Sequence, residues 1–388
     1  MNSNRFINKK VQSIQLSPIR KFFNLVSEVP GAISLTIGQP DFNTPESIKS
    51  AGINAIRNNY TKYTHNQGRE DLRQELGKYL KSHYNICYDY EKEITVTVGS
   101  GEAIDAVIRT IVDDNDEVLI PSPGYVAYGA CVTLAGGIPV YVPLYFDDSF
   151  KLKADILEKY ITRKTRALIL SYPSNPTGAT MDMDDLSGIA DIAKKYDLFV
   201  ISDEIYSELT YGKKHVSIAS ISGMKERSAV INGFSKAYSM TGWRLGYVAA
   251  PSRIMEQIVK VHQYDVTCAP SISQAAGIEA LKNGNKYISL MVSEYDRRRQ
   301  YCYNRLRAMG LLCFNPDGSF YIFPEIKKYN MPSEEFCRRL LYENKLAVVP
   351  GSAFGIYGEG YIRISYAYSM DVLEEGLDRL EEFIEKLE

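Results

Sequence analysis

Between residues 94 and 201 the chain alternates short β-branched runs with stretches of helical spacing, and this rhythm restricts the fold more than any other feature. Residues 94–98 (ITVTV), 117–120 (EVLI, ending at Pro121), 138–142, 167–170 (ALIL) and 198–201 (LFVI) read as strands. Short apolar runs bounded by polar turns are the mark of buried parallel strands. Helical spacing follows the first run, through Ala103, Val107, Ile108 and Ile111. It returns at 183–196, where Leu186, Ile189, Ala190 and Ala193 share one face. Strands alternating with helices of this length predict βαβ units and an α/β fold with a mostly parallel sheet. The tail differs. A long helical pattern at 287–309 leads to strand-like 318–323 and 361–366, then to an amphipathic closing helix at 370–387. These read as a smaller α+β unit, against which the first 45 residues are expected to pack. The expected division is a large domain at 46–285 and a small domain built from 1–45 and 286–388.

A chain of 388 residues is long enough for two such units. Its net charge of −2 comes from 45 basic and 47 acidic residues, evenly mixed. That balance argues against a nucleic-acid groove or a membrane-surface patch. No apolar run reaches the length of a signal peptide or of a transmembrane helix. The six cysteines show no CxxC and no framework spacing, as expected of reduced thiols in a cytoplasmic protein. The histidines at 65, 83, 215 and 262 form no metal-ligand pair, so no metal site is expected.

In open α/β sheets, ligands bind beyond the carboxyl ends of the strands. Four polar motifs fall at such ends. Gly99-Ser100-Gly101 opens a helix, where free N–H groups and the dipole favour an anion, although a plain βα turn uses the same glycines. Asn175 lies in the turn 174–178, where its amide can donate to a phenolate or a carboxylate. Asp203 is the first acid beyond the run 198–201. It suits a pyridinium partner or a helix N-cap, and Tyr206 follows three residues later. The fourth motif is the turn after the β-rich run 228–232. There Lys236 follows Ser235, and Arg244 stands eight residues on, between Gly242 and Gly246. A lysine among hydroxyls, glycines and an arginine suits a group bound covalently through an aldehyde and electrostatically through a phosphate. Pyridoxal 5′-phosphate needs both. In the tail, Arg363 sits inside an apolar run and requires an anionic partner, either a substrate carboxylate or a structural acid.

The motifs together resemble the class I aminotransferases, pyridoxal phosphate enzymes of fold type I. The resemblance spans most of the chain: IGQPDF (37–42), YTHNQG (63–68), PSNPTGA (173–179), SDEIY (202–206), GFSKAYSMTGWRLG (233–246) and RISYA (363–367). Within the family, the segments IRKFFNLV, VHQYDVTCAPSISQ and YGEGYIRISYA are most similar to N-acetyl-LL-diaminopimelate aminotransferases, which act in lysine synthesis. The resemblance implies that Lys236 forms the Schiff base with the cofactor and that Asp203 pairs with its ring nitrogen. Tyr206 and Asn175 would bond its 3′-oxygen, and Tyr125 would stack on the ring. Ser100, Gly101, Ser235 and Arg244 would hold the phosphate. Tyr63 would reach the phosphate of a neighbouring subunit, making the active unit a homodimer. Arg363, with Asn175 and the backbone of Gly38, would clamp the substrate carboxylate.

The implied reaction moves an α-amino group from an L-amino acid to a 2-oxo acid, 2-oxoglutarate being expected. Some aspartate aminotransferases carry a lysine where this chain has Gly101, which leaves room for a longer donor. Selectivity is expected to rest on residues around Ser17, Gly101 and Tyr264. Aspartate or aromatic transamination and pyridoxal-phosphate-dependent C–S β-elimination are the alternatives on the same scaffold. A non-catalytic regulator would need a fused DNA-binding unit, for which the N-terminal segment is too short.

Overall fold

The computed structural model of the chain describes residues 3–16, 25, 26 and 28–388. Ser17 and most of the 19–26 segment lie outside the described residues. Seven strands form the central sheet, in the order β2-β8-β7-β6-β5-β3-β4. They are β2 (Ile94–Thr97), β3 (Glu117–Ser122), β4 (Ile138–Pro143), β5 (Thr165–Ser171), β6 (Phe199–Asp203), β7 (Ser228–Gly233) and β8 (Gly246–Ala249). β8 pairs antiparallel with both β2 and β7, and the remaining pairs are parallel. Six strands therefore share one direction, as the βαβ rhythm predicts.

Alternation along each strand feeds two cores. Ile120, Ile169, Ile201 and Ile231 face one side, with the helix Gly99–Ile111. Leu119, Leu168 and Val200 face the other, with the helix Met183–Lys195. That second helix buries Leu186, Ile189, Ala190 and Ala193, the stripe expected from spacing. Asp182 and Asp185 cap its start reciprocally, and Lys194 and Lys195 complement the dipole at its end.

Two strands depart from expectation. β3 does not stop at Pro121 but continues to Ser122, paired with β4. The Glu117 N–H donates towards β5 and the Ser122 carbonyl accepts from Leu144 beside β4, so odd-numbered residues point to the β5 side. The N–H that Pro121 lacks is missing on that side, beyond the last β3–β5 partners, Leu119 and Leu168. β8 itself was not anticipated, because it is four residues long and opens on a glycine. Gly246 is required there: a Cβ would lie 2.6 Å from Gly99 C and Ser100 N, the start of the helix Gly99–Ile111.

The C-terminal region carries a three-stranded antiparallel sheet of β11 (Val349–Pro350), β12 (Ile362–Ser365) and β9 (Tyr321–Ile322). The strand expected at 318–323 shrinks to two residues, because Ser319 takes a positive φ of 58° that interrupts the extended backbone. The closing helix Met370–Leu387 buries Leu373, Leu377, Leu380 and Ile384 on one stripe. β1 (Ile33–Ser34) pairs with β10 (Leu346–Ala347), and Leu35 joins the same core as that helix. No helix among the described residues is long and apolar enough to cross a membrane.

Gly246→Ala is expected to lower stability by roughly 1–3 kcal/mol through overpacking. Thermal unfolding of the variant beside the parent checks this; an unchanged midpoint contradicts the contact.

Candidate active site

Five strands that share one direction deliver the site: their carboxyl ends lead to Ser100, Tyr125, Asn175, Asp203 and Lys236. These border a cavity of about 500 Å³ with Gly38, Gly101, Tyr206, Ser235, Arg244 and Arg363. Each of these positions was expected from sequence. Tyr63 is the exception, being 86% exposed and absent from this lining.

Lys236 lies in the turn after β7, with Nζ donating to the carbonyl oxygen of Gly38. Burial lowers its pKa to about 8, helped by the charges of Arg363 and Arg244 against the opposing pull of Asp203. Asp203 is the last residue of β6 rather than the first beyond it, and no helix follows for it to cap. Its Oδ1 accepts the Ile205 N–H at 3.2 Å, and its Oδ2 accepts from the Tyr128 hydroxyl at 2.7 Å. Burial raises its pKa to about 6 despite both bonds.

Arg363 is the largest fully buried side chain, and strand alternation explains its direction: Ile362 and Ile364 face the apolar core while Arg363 faces the cavity. Nη1 donates to Asn175 Oδ1 at 2.9 Å and Nη2 to the Thr36 carbonyl at 2.5 Å. Both partners are neutral. No carboxylate among the described residues stands within ion-pair distance, and Nε has no partner at all. A structural acid is therefore not what holds this arginine. Its guanidinium lies over the Tyr321 ring, 4.3 Å from the centroid.

Asn175 sits in the expected turn and also borders the cavity. Gly178 N–H donates to the Ser174 carbonyl at 3.0 Å, closing the turn, while the Asn175 side chain points into the cavity. With Oδ1 engaged by Arg363, its Nδ2 is left to donate. At the far end of the cavity the helix Gly99–Ile111 presents Ser100 and Gly101. Gly99 itself has a positive φ of 76°, and the motif leads directly into the first helical turn. Arg244 adopts a left-handed conformation (φ 51°) and rests against Gly99 where a Cβ would stand. Nothing lies within 4 Å of where a Gly101 Cβ would be, so that end is open.

Sequence reasoning missed Tyr128 and Tyr321. The Tyr128 hydroxyl bridges Ser171 and Asp203, and the Tyr321 hydroxyl lies 2.8 Å from that of Tyr206. Tyr128 stands three residues after Tyr125 at the start of a helix, a spacing that could have flagged it. Tyr321 carried no signal among 29 tyrosines. Tyr264, expected near the side-chain pocket, is 87% exposed and does not border the cavity.

The family profile of aminotransferases of class I and II matches residues 30–380. The chain belongs to that family. A Bacillus subtilis protein named "Probable N-acetyl-LL-diaminopimelate aminotransferase" is 49% identical over 98% of this chain and 96% of its own length. An aspartate aminotransferase of Pyrococcus abyssi is 46% identical, covering 97% and 98% of the two chains. Among solved structures, an aromatic aminotransferase from Pyrococcus horikoshii superposes with a TM-score of 0.90 at 46% identity, over 95% and 99% of the chains. This chain is thus a class I aminotransferase of fold type I, and its cofactor is pyridoxal 5′-phosphate.

The residues present in this aminotransferase fit that cofactor. A half-buried lysine with a lowered pKa faces a buried carboxylate, and a helix N-terminus with an open glycine faces an arginine. Without a cationic partner, Asp203 destabilises the fold when ionised. The sign follows from its raised pKa: the folded state binds the proton more tightly, so stability falls as pH rises from about 4 to about 6. Asp203→Asn is therefore expected to stabilise the cofactor-free protein by up to about 3 kcal/mol at pH 7. The gain should vanish below pH ~4. Thermal unfolding between pH 4 and 8 measures it, and a pH-independent difference removes the burial argument.

Proposed function

We propose that this aminotransferase transfers the α-amino group of N-acetyl-LL-diaminopimelate to 2-oxoglutarate. The observation that carries the amino-acid reading is the buried, acid-free Arg363 in one cavity with Lys236 and Asp203. The 49% identical relative supports the donor, as does the open space at Gly101, which suits a longer side chain than that of aspartate. The aspartate and aromatic names of the Pyrococcus proteins support the alternative donors.

When bound, pyridoxal phosphate supplies an electron sink for the electrons released at the substrate Cα. In the proposed reading Lys236 would hold the cofactor covalently, and its ε-amine would take the Cα proton. Only the neutral amine can do so, and a pKa of about 8 makes that form accessible near neutral pH. Asp203 would stand as the anionic partner of the ring nitrogen. It is ionised above pH ~6, and a cation beside it would extend that range downward. Tyr206 and the Nδ2 of Asn175 would donate to the 3′-oxygen, and Tyr125 would cover the ring. Ser100, Gly101, Ser235 and Arg244 would bind the phosphate. Arg363 receives the substrate carboxylate with its unpartnered Nε and fixes the direction of the Cα–H bond.

Tyr63 is exposed and does not border its own cavity, which supports a role at the site of a second copy and hence a homodimer. The pairing of β1 with β10 supports the division into 46–285 and a small domain of 1–45 with 286–388. Six unpaired cysteines support a reducing, cytoplasmic setting.

Lys236→Ala should abolish turnover and leave no cofactor fixed to the protein by borohydride; an active variant sinks the assignment. Arg363→Lys should raise KM for both amino and oxo acid by at least about tenfold, because one ammonium cannot replace the planar fork. A panel of N-acetyl-LL-diaminopimelate, aspartate, alanine and aromatic donors with 2-oxoglutarate tests the substrate. Release of pyruvate and ammonia in place of transamination would favour C–S β-elimination.

A further inference from the structure

His262 takes no part in the cavity and in none of the roles above. It lies on the helix Ser252–Val266 with its side chain fully buried. Its Nδ1 is 2.9 Å from Glu102 Oε1, and its Nε2 is 2.8 Å from the carbonyl oxygen of Asn66. A carboxylate and a carbonyl only accept. A neutral imidazole has one N–H and would set a lone pair against one of them. Serving both requires either an imidazolium or a proton on Glu102. The second Glu102 oxygen already accepts the Val98 N–H at 2.8 Å. Imidazole also holds a proton about two pH units more firmly than a carboxylate. The proton belongs on the ring. Burial opposes the charge, but Glu102 on the facing helix, the Asn66 carbonyl on the facing loop and Asp265 on its own helix outweigh it, and the ring's pKa is raised.

Glu102 occupies the first turn of the helix Gly99–Ile111, whose residues Ser100 and Gly101 border the cavity. A bare carboxylate there would compete with any second anion for the positive end of the helix. The imidazolium cancels that charge from inside. It also pins Asn66, whose Nδ2 donates to the Thr267 carbonyl at 2.8 Å. Thr267 is strained: φ is 67° and ψ −58°, with Cys268 N–H donating to the Val266 carbonyl at 2.7 Å, a γ-turn of the rare positive-φ kind. His262 thus joins the helix start, the loop that carries Tyr63 and a strained turn.

We propose that His262 is a positioning residue for the cofactor phosphate: as an imidazolium it neutralises Glu102 at the start of the phosphate-binding helix and fastens the Asn66 loop to that turn. The proposal rests on the reading that Ser100, Gly101 and Arg244 hold the phosphate.

The test compares purified holoenzyme with His262→Gln, Glu102→Gln/His262→Gln and Arg244→Ala. The dissociation constant of pyridoxal phosphate is followed by cofactor absorbance. His262→Gln should weaken binding by roughly tenfold, leaving Glu102 uncompensated near the phosphate. The double variant should regain most of that loss. A purely structural histidine predicts a double variant no tighter than the single one, and that result overturns the proposal. Ring-nitrogen NMR of the parent, with four histidines to resolve, should show both His262 nitrogens protonated at pH 7. A neutral tautomer also overturns it, whether or not the variants fold. Unchanged binding in Arg244→Ala would instead bring down the phosphate reading itself.

Discussion

Three ionisable side chains, two buried and one half-buried, meet at one edge of the sheet without adequate partners, and the rest of the site is arranged around them. Lys236 has its pKa pulled down, Asp203 has its pKa pushed up, and Arg363 is held by two neutral oxygens with its Nε unpaired. A fold optimised for stability alone would not leave charges in this condition. Each shift has the sign expected of a group awaiting a counterpart: an amine ready to be neutral, a carboxylate lacking a cation and a guanidinium lacking an anion. A cofactor with a carbonyl and a basic ring nitrogen, followed by a substrate with a carboxylate, would supply those counterparts.

The architecture makes this concentration possible. Strands sharing a direction bring their carboxyl ends to one edge, so residues as distant in sequence as Ser100 and Lys236 become neighbours. Gly246 lets β8 press against the start of the helix Gly99–Ile111, and Gly38 leaves space for the Tyr321 hydroxyl. Neither glycine needs a special backbone angle. Both serve close approach, which is why their neighbours could not be named before the fold was known.

Legibility in the sequence followed the range of the physics. Local patterns carried the sheet, the stripe on Met183–Lys195 and the closing helix, since apolar spacing and capping act over a few residues. Motif resemblance located the residues at the strand ends. What escaped depended on contacts between distant segments. β8 exists because it fills a slot between β2 and β7, not because GYVA is a strong strand sequence. Tyr128 matters through a carboxylate 75 residues away, and Tyr321 through Tyr206, 115 residues away. His262 looked like an isolated structural histidine, and its two partners, Glu102 and the Asn66 carbonyl, come from separate elements that only the fold brings together.

The tyrosines around the site connect groups that the sequence presents as separate. Tyr321 lies under the guanidinium of Arg363 while its hydroxyl meets that of Tyr206. The ring face is attracted to the cation, and burial pushes its phenol away from ionisation while the cation pulls it back. On the other side of the pair, Lys236 Nζ stands 5.6 Å from the Tyr206 ring centroid. The same logic holds at Asp203, where the Tyr128 hydroxyl stabilises the ionised carboxylate against burial. Here phenols take the place of additional charges: they are polar enough to steer protons, yet apolar enough to be buried at little cost.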